Sequence, residues 1–322
     1  MMRIVVALLL GALPWTGFAA SADTWPARPV RIVTPFPAAS TVDVVMRLLQ
    51  PHISERLGQP VVIDNRGGAS GAIGVEVVQR ASPDGYTMLL GTASTHSLAK
   101  AINPKLSYDP QRDFAPVTLI GSVPYAMAVY PGVPAKSLQE LIQVARSKPG
   151  EIRYTSVGNA SLAHLAGELL SILANVKMTH VPYKSSAASV IDVIAGRVEL
   201  WIGSTAPALP HIRAGRVRAI ATTGAARLPA LPDVPTVKEL GFPGYEVALW
   251  MAIFAPAGTP KPIVDRANRE LVAVITKPDV HEGLVAQGVT PQGSTPAELS
   301  AHVSAEIAKW SRVIKTAGIK TD

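Results

Sequence analysis

Five short stretches of this chain gather small and hydroxylated residues where an apolar, strand-like run gives way to a helical pattern. They are Pro37-Ala38-Ala39-Ser40 with Asp43, Gly91-Thr92-Ala93-Ser94-Thr95-His96, Ser156-Val157-Gly158-Asn159-Ala160-Ser161 with His164, Tyr183-Lys184-Ser185-Ser186, and Gly203-Ser204-Thr205. A helix N-terminus carries unpaired N–H groups and the positive end of the helix dipole, and residues this small let a ligand reach the backbone. The chemistry they suit is anion binding. Each also has a plain structural reading: Ser40-x-x-Asp43 is a capping box and Ser161 an ordinary N-cap. Capping and anion binding coexist at one turn, and their recurrence points to a shared site.

Catalytic signatures are lacking. There is no G-x-S-x-G elbow, H-E-x-x-H pair or Walker loop. Ser97-Leu98-Ala99-Lys100 matches S-x-x-K without the K-T-G or S-D-N elements that give that pattern meaning. Gly68-Ala69-Ser70-Gly71-Ala72-Ile73-Gly74 fails the dinucleotide G-x-G spacing and reads as a turn that packs a helix closely on a sheet. Zero cysteines exclude disulfides, thiolate nucleophiles and thiolate metal sites. His96 and His164 lie at the junctions, whereas His52, His180, His211, His281 and His302 lie in ordinary helical or strand contexts. The expectation is a binding protein with no catalytic residue, metal or cofactor. An exported α/β hydrolase or isomerase acting on an anionic substrate is the alternative; it requires one of the junction histidines beside a hydroxyl nucleophile.

Positioning such junctions requires βα alternation, and the sequence supplies it twice. The periodicity predicts strands at 30–35, 61–64 and 86–90 with helices at 41–56 and 72–81, then an extended crossing at 115–129. The alternation restarts with helices at 138–147, 162–173 and 187–195 and strands at 153–155, 177–180, 199–202 and 217–222. A second extended segment, 245–254, precedes helices at 260–275, 278–287 and 296–317. This is the layout of two α/β lobes, each a mixed, mostly parallel sheet flanked by helices, joined by two crossing strands. The expected units are 23–122 for the first lobe, 123–246 for the second and 247–322 for the return to the first. Ligands of open α/β sheets sit beyond the carboxyl ends of the strands, where all five stretches fall.

The chain has 322 residues, 48% hydrophobic and 16% charged, enough for packed cores. Arg3, the apolar run that follows and Ala20-Ser21-Ala22 form a cleavable export leader, 1–22, with cleavage expected after Ala22. Its apolar run is well short of the roughly 20 residues that span a bilayer. The formal net charge is +7, but Lys and Arg are dispersed without aromatic interleaving, which argues against nucleic-acid binding and suits steering of small anions.

A set of ordered blocks resembles one family. Trp25-Pro26-x-x-Pro29-Val30-Arg31-Ile32-Val33-x-Pro35-Phe36, Leu57-Gly58-Gln59-Pro60-Val61-Val62-x-x-Asn65-Arg66, Tyr108-Asp109-Pro110-x-x-Asp113-Phe114, His180-Val181-Pro182-Tyr183-Lys184 and Leu231-Pro232-Asp233-Val234-Pro235-Thr236 are among them. They resemble the tripartite tricarboxylate transporter receptors, the Bug family of periplasmic solute-binding proteins, over nearly the whole chain after the leader. The resemblance implies a two-lobed, type II-like periplasmic binding fold that closes on a small carboxylate and delivers it to a permease of one large and one small integral-membrane subunit. It also implies a monomer in the periplasm, with the carboxylate held by backbone amides and water at 36–43 and 156–164. A receptor that signals to a sensor partner is the other output the resemblance allows. Three positions depart from the family pattern. Ala39-Ser40 replaces a usual Gly-Gly pair, Ser185 replaces a Gly after Tyr-Lys, and Gly203 stands where the strand often ends in Asp. The missing acid implies a ligand without an amino group, more room in the cleft, and a plain di- or tricarboxylate or an aromatic carboxylate.

Overall fold

The β-branched run Val30–Thr34 forms β1, and the computed structural model, which describes residues 25–103 and 105–319, builds a first half-sheet around it. The expected leader, 1–22, lies outside the described residues. β1 pairs in parallel with β2 (Val61–Asn65) and with β3 (Thr87–Thr92). Beyond β3 the pairing turns antiparallel, first to β9 (Ala248–Pro256) and then to the 16-residue β4 (Phe114–Val129). A short β10 (Thr290–Pro291) pairs with β4 at Ser122 and Gly121.

β4 changes sheet along its length. Residues 114–124 pair with β9, whereas 125–129 pair with β7 (Leu200–Ser204) and β8 (Arg218–Thr222). β7 then runs parallel to β5 (Arg153–Ser156), and β5 to β6 (Thr179–Pro182), which completes a second half-sheet. The strands that feed helices are thus parallel, as the alternation predicts, and the crossing strands are antiparallel.

Strand side chains alternate between faces, so each half-sheet has two cores. In the first, Val30, Ile32, Met88, Leu90 and Ile253 pack beneath α1 (Thr41–Leu57), α8 (Lys261–Ile275) and α9 (Pro278–Ala286). Their alternates Val33, Leu89, Ala252 and Phe254 meet α2 (Ala72–Gln79) and the start of α10 (Pro296–Ala317). In the second, Met127, Val129, Leu200 and Ile202 pack on α4 (Leu138–Ser147) and α5 (Leu162–Ala174). Ala126, Ala128 and Trp201 pack on α6 (Ser186–Ile194) and α7 (Thr205–Arg213). Gly74 has the packing role its motif predicts: a Cβ there would stand 2.7 Å from Arg66 O and 2.8 Å from Pro35 Cα, so α2 lies directly on β1.

The return segment divides between the lobes. Leu299 and Val303 of α10 lie in a core of the first half-sheet, but Trp310, Val313 and Ile314 lie in a core of the second with Leu165 and Leu169. Assigning all of 247–322 to the first lobe therefore misses the far end of this helix, whose apolar stripe is long enough to reach both cores. Glu306 stands between them, its Oε2 accepting from Trp250 Nε1 at 3.3 Å and Trp310 Nε1 at 2.9 Å. Lys309 bonds the other oxygen of Glu306 and donates to the carbonyl of Glu246, where the chain crosses back, at 2.9 Å.

Candidate ligand-binding cleft

The first and third junctions share one local design. Before α1, Ala39 takes a left-handed φ of 62°, Ser40 is the N-cap with its Oγ accepting from Asp43 N–H, and the Asp43 carboxylate reaches back 2.8 Å to accept the Ala39 N–H. Before α5, Ala160 takes a φ of 55°, Ser161 is the N-cap with its Oγ accepting from His164 N–H, and His164 Nδ1 accepts the Ala160 N–H at 3.0 Å. In both, the residue at the third helical position latches the N–H just before the cap. The two Ser caps thereby serve the fourth donor of the turn, and the N–H groups of Thr41 and Val42, and of Leu162 and Ala163, are left for an incoming anion. Ala39 thus holds a conformation that glycine takes freely and that costs a side chain strain.

The two latches differ in charge. Burial alone would raise the Asp43 carboxyl, but hydrogen bonds from Arg47, Asn65 and Ala39 outweigh it and hold its pKa below the ordinary carboxylate value. Arg47 Nε lies 2.9 Å from Oδ2, and Asn65 Nδ2 lies 2.9 Å from Oδ1 and 2.7 Å from Thr34 Oγ1. Asp43 therefore shapes its loop as a permanent anion whose charge Arg47 balances. His164 must be neutral at Nδ1 to accept a bond. Burial, and then the neighbouring His180, push its pKa down to about 4. The two imidazoles stack with centroids 3.7 Å apart and planes 5° apart.

Both junctions open on one cavity of about 740 Å³ between the half-sheets. Ser40, Thr41, Val42 and Phe36 line it from the first junction and Val157, Asn159, Ala160, Ser161 and Leu162 from the third. Ala69 and Ser70, both at positive φ, form part of the rim, and the rest of the wall is apolar at Ala72, Leu98, Ala99, Ile102, Leu106 and Leu249 and polar at Ser94, Asn103, Lys105, Ser107, Tyr108 and Tyr125. Among the described residues, Lys105 is the charged side chain on this wall; no Asp or Glu lines it. Two helix dipoles and a cation thus set a positive potential in a cavity of the size that ordinarily holds a small molecule.

Other expected contacts sit elsewhere. Pro37 and Ala38 are exposed at the lip, Gly158 is half-buried in its loop, and Thr92 is buried in the core. His96 is fully buried, stacked on Phe254 at 4.0 Å and edge-on to Phe114, with Nδ1 2.9 Å from Thr95 Oγ1. Burial drives its pKa down to about 3, so it is a neutral core residue and not a ligand contact. Ser156 Oγ meets His180 Nε2 at 2.5 Å and binds the Gly158 backbone, but Ser156 is 1% exposed, so this hydroxyl holds its own loop. Lys184 is exposed and Ser185 caps α6 through the Ala188 N–H; neither lies on the cavity wall, nor does Ser204 ahead of α7. Gly203 is buried opposite Ala126, and a Cβ there would stand 2.8 Å from the Trp201 ring. The space expected from a missing acid is therefore filled by Trp201.

The apolar wall was not anticipated. Its signal was present as the four-residue spacing Leu98, Ile102, Leu106, hidden because a π-helical turn (Ser94–Leu98) and the brief α3 (Ala99–Ile102) are too short to show a period. No group of three or more His, Asp or Glu placed to hold a metal occurs among the described residues.

A two-lobed α/β fold with an anion-suited cavity between its lobes is that of a solute-binding receptor. This chain belongs to the tripartite tricarboxylate transporter receptor family, whose model matches residues 45–319. It is 36% identical to protein BugT of Bordetella pertussis, over 93% of this chain and 92% of that one. Among solved structures it is similar to Rpa4515 of R. palustris with adipate (40% identity, TM-score 0.75, covering 92% of this chain and 99% of that one). It is also similar to MatC of Rhodopseudomonas palustris with bound malate (33% identity, TM-score 0.70, covering 90% and 100%). The family and these neighbours are solute-binding proteins and not enzymes, and its receptors are periplasmic. No described helix is long and apolar enough to cross a membrane.

Proposed function

We propose that this receptor captures a small carboxylate between its lobes and hands it to a permease of one large and one small integral-membrane subunit. The observation that carries the reading is the convergence of the α1 and α5 N-termini, from opposite half-sheets, on one cavity without an acidic side chain on its described wall. The adipate and malate held by two relatives support the ligand class. In this reading the free N–H groups of Thr41, Val42, Leu162 and Ala163 bind the carboxylate, with Ser40, Asn159 and Ser161 beside them. Closure of the lobes removes competing water and strengthens each of these bonds. The lobes are 23–122 with 247–322, and 123–246, with the end of α10 shared. The chain is exported with cleavage after Ala22 and works as a monomer.

A thermal-shift screen against small carboxylates tests the proposal, because a ligand that binds only the folded state raises Tm. A rise with at least one carboxylate is expected. No rise with any, together with turnover of an ester or amide, would replace the receptor by the exported hydrolase.

A further inference from the structure

We propose that the carboxylate taken by this cleft carries an apolar body, aliphatic or aromatic, and not a hydroxylated skeleton. The inference rests on the carboxylate reading above and narrows it. The two helix N-termini and Lys105 account for the charged groups, and what faces the rest of a ligand is a largely apolar surface broken by Ser94, Asn103 and Ser107. Leu98, Ile102, Leu106, Leu162, Leu249 and the Tyr125 ring supply it. No carboxylate or imidazole lies on the described wall, and of its polar side chains the Tyr108 hydroxyl is donated to Thr95 O at 2.8 Å, the Ser107 hydroxyl is donated to Glu76, and Asn103 Oδ1 accepts the Lys105 N–H. Apolar ligand surface is therefore rewarded here, whereas a ligand hydroxyl gives up water for few unengaged partners.

Calorimetric titration of the purified receptor reads this directly with succinate, glutarate, adipate and pimelate, with hexanoate and benzoate, and with malate. Along the unsubstituted series each added methylene should tighten binding by about fourfold until the cavity is filled. Succinate and malate differ by one hydroxyl, and malate should bind about tenfold more weakly or worse. Ile102→Ser, at a half-exposed position, should weaken hexanoate by a larger factor than it weakens succinate. Affinity flat along the series, or malate tighter than succinate, would overturn the inference and leave the carboxylate reading standing. Failure of every acid to bind would overturn both.

Discussion

Replacing His164 by Ala removes the acceptor of the Ala160 N–H and should damage ligand binding beyond its effect on folding. Ala160 is only 9% exposed, so its N–H would be left unpaired at a cost of about 1–3 kcal/mol. Its left-handed φ of 55° carries a further penalty of about 1–2 kcal/mol, which the latch now opposes. Released, the loop relaxes away from the geometry that leaves the Leu162 and Ala163 amides free, and binding must restore it. That restoration corresponds to a loss of affinity of about 5- to 150-fold. His164→Asn should recover most of it, because Asp43 shows that a short planar acceptor at the same helical position reaches the equivalent N–H at 2.8 Å. The same pair of variants separates two effects of pH. His164 has a folded pKa near 4 against an ordinary 6.5, so its contribution to stability is complete above pH 6.5 and is lost as pH falls from 6.5 towards 4. The latch itself opens only near the folded value, where a protonated Nδ1 would face an N–H. Titration calorimetry at pH 7.5, 5 and 4, with His164→Asn as the control for protonation of the ligand, measures both. A His164→Ala receptor that binds within twofold of the wild type, or an Asn variant no better than Ala, would refute the latch.

Ser161→Ala removes an Oγ that accepts from His164 N–H and donates to Gly158 O at 2.7 Å, and should lower stability by about 1 kcal/mol. Affinity should fall by more than that; equal losses in melting and titration experiments would make Ser161 a cap alone. Gly203→Asp should destabilise by about 1–3 kcal/mol because its Cβ meets Trp201 and Ser186; an unchanged urea midpoint refutes this. His96 is held neutral by burial down to about pH 3, so wild-type stability should fall as pH drops from 6.5 towards 3. Denaturant titrations of His96→Met should show a flatter dependence over that range.

Most of the fold was legible because its signals are local. Ser40 and Ser161 cap α1 and α5 at the expected residues, and Gly58 ends α1 in a left-handed turn with its N–H on Glu55 O. The crossing strand β4 was likewise announced by its β-branched run. The two jaws could be found from small residues ahead of helices, but that signal does not separate residues on the wall from those behind it. Lys184, Ser185 and Ser204 occupy equivalent places in their own βα turns, yet α6 and α7 sit on the opposite face of the second half-sheet from α5. Which face a helix takes is decided by chain crossing and packing, not by its first turn. His96 shows the same limit: its neighbours Phe114 and Phe254 are remote in sequence, and only the sheet brings them against it.

One rod, α10, is rooted in both halves of the molecule. Its Leu299 and Val303 fill one core and its Trp310, Val313 and Ile314 fill another, with Glu306 tying Trp250 to Trp310 at the boundary. Loss of either half would strip side chains from the other and leave a buried carboxylate without one of its donors. The two halves should therefore melt in a single cooperative transition, and a ligand that touches only one of them would still protect the whole chain.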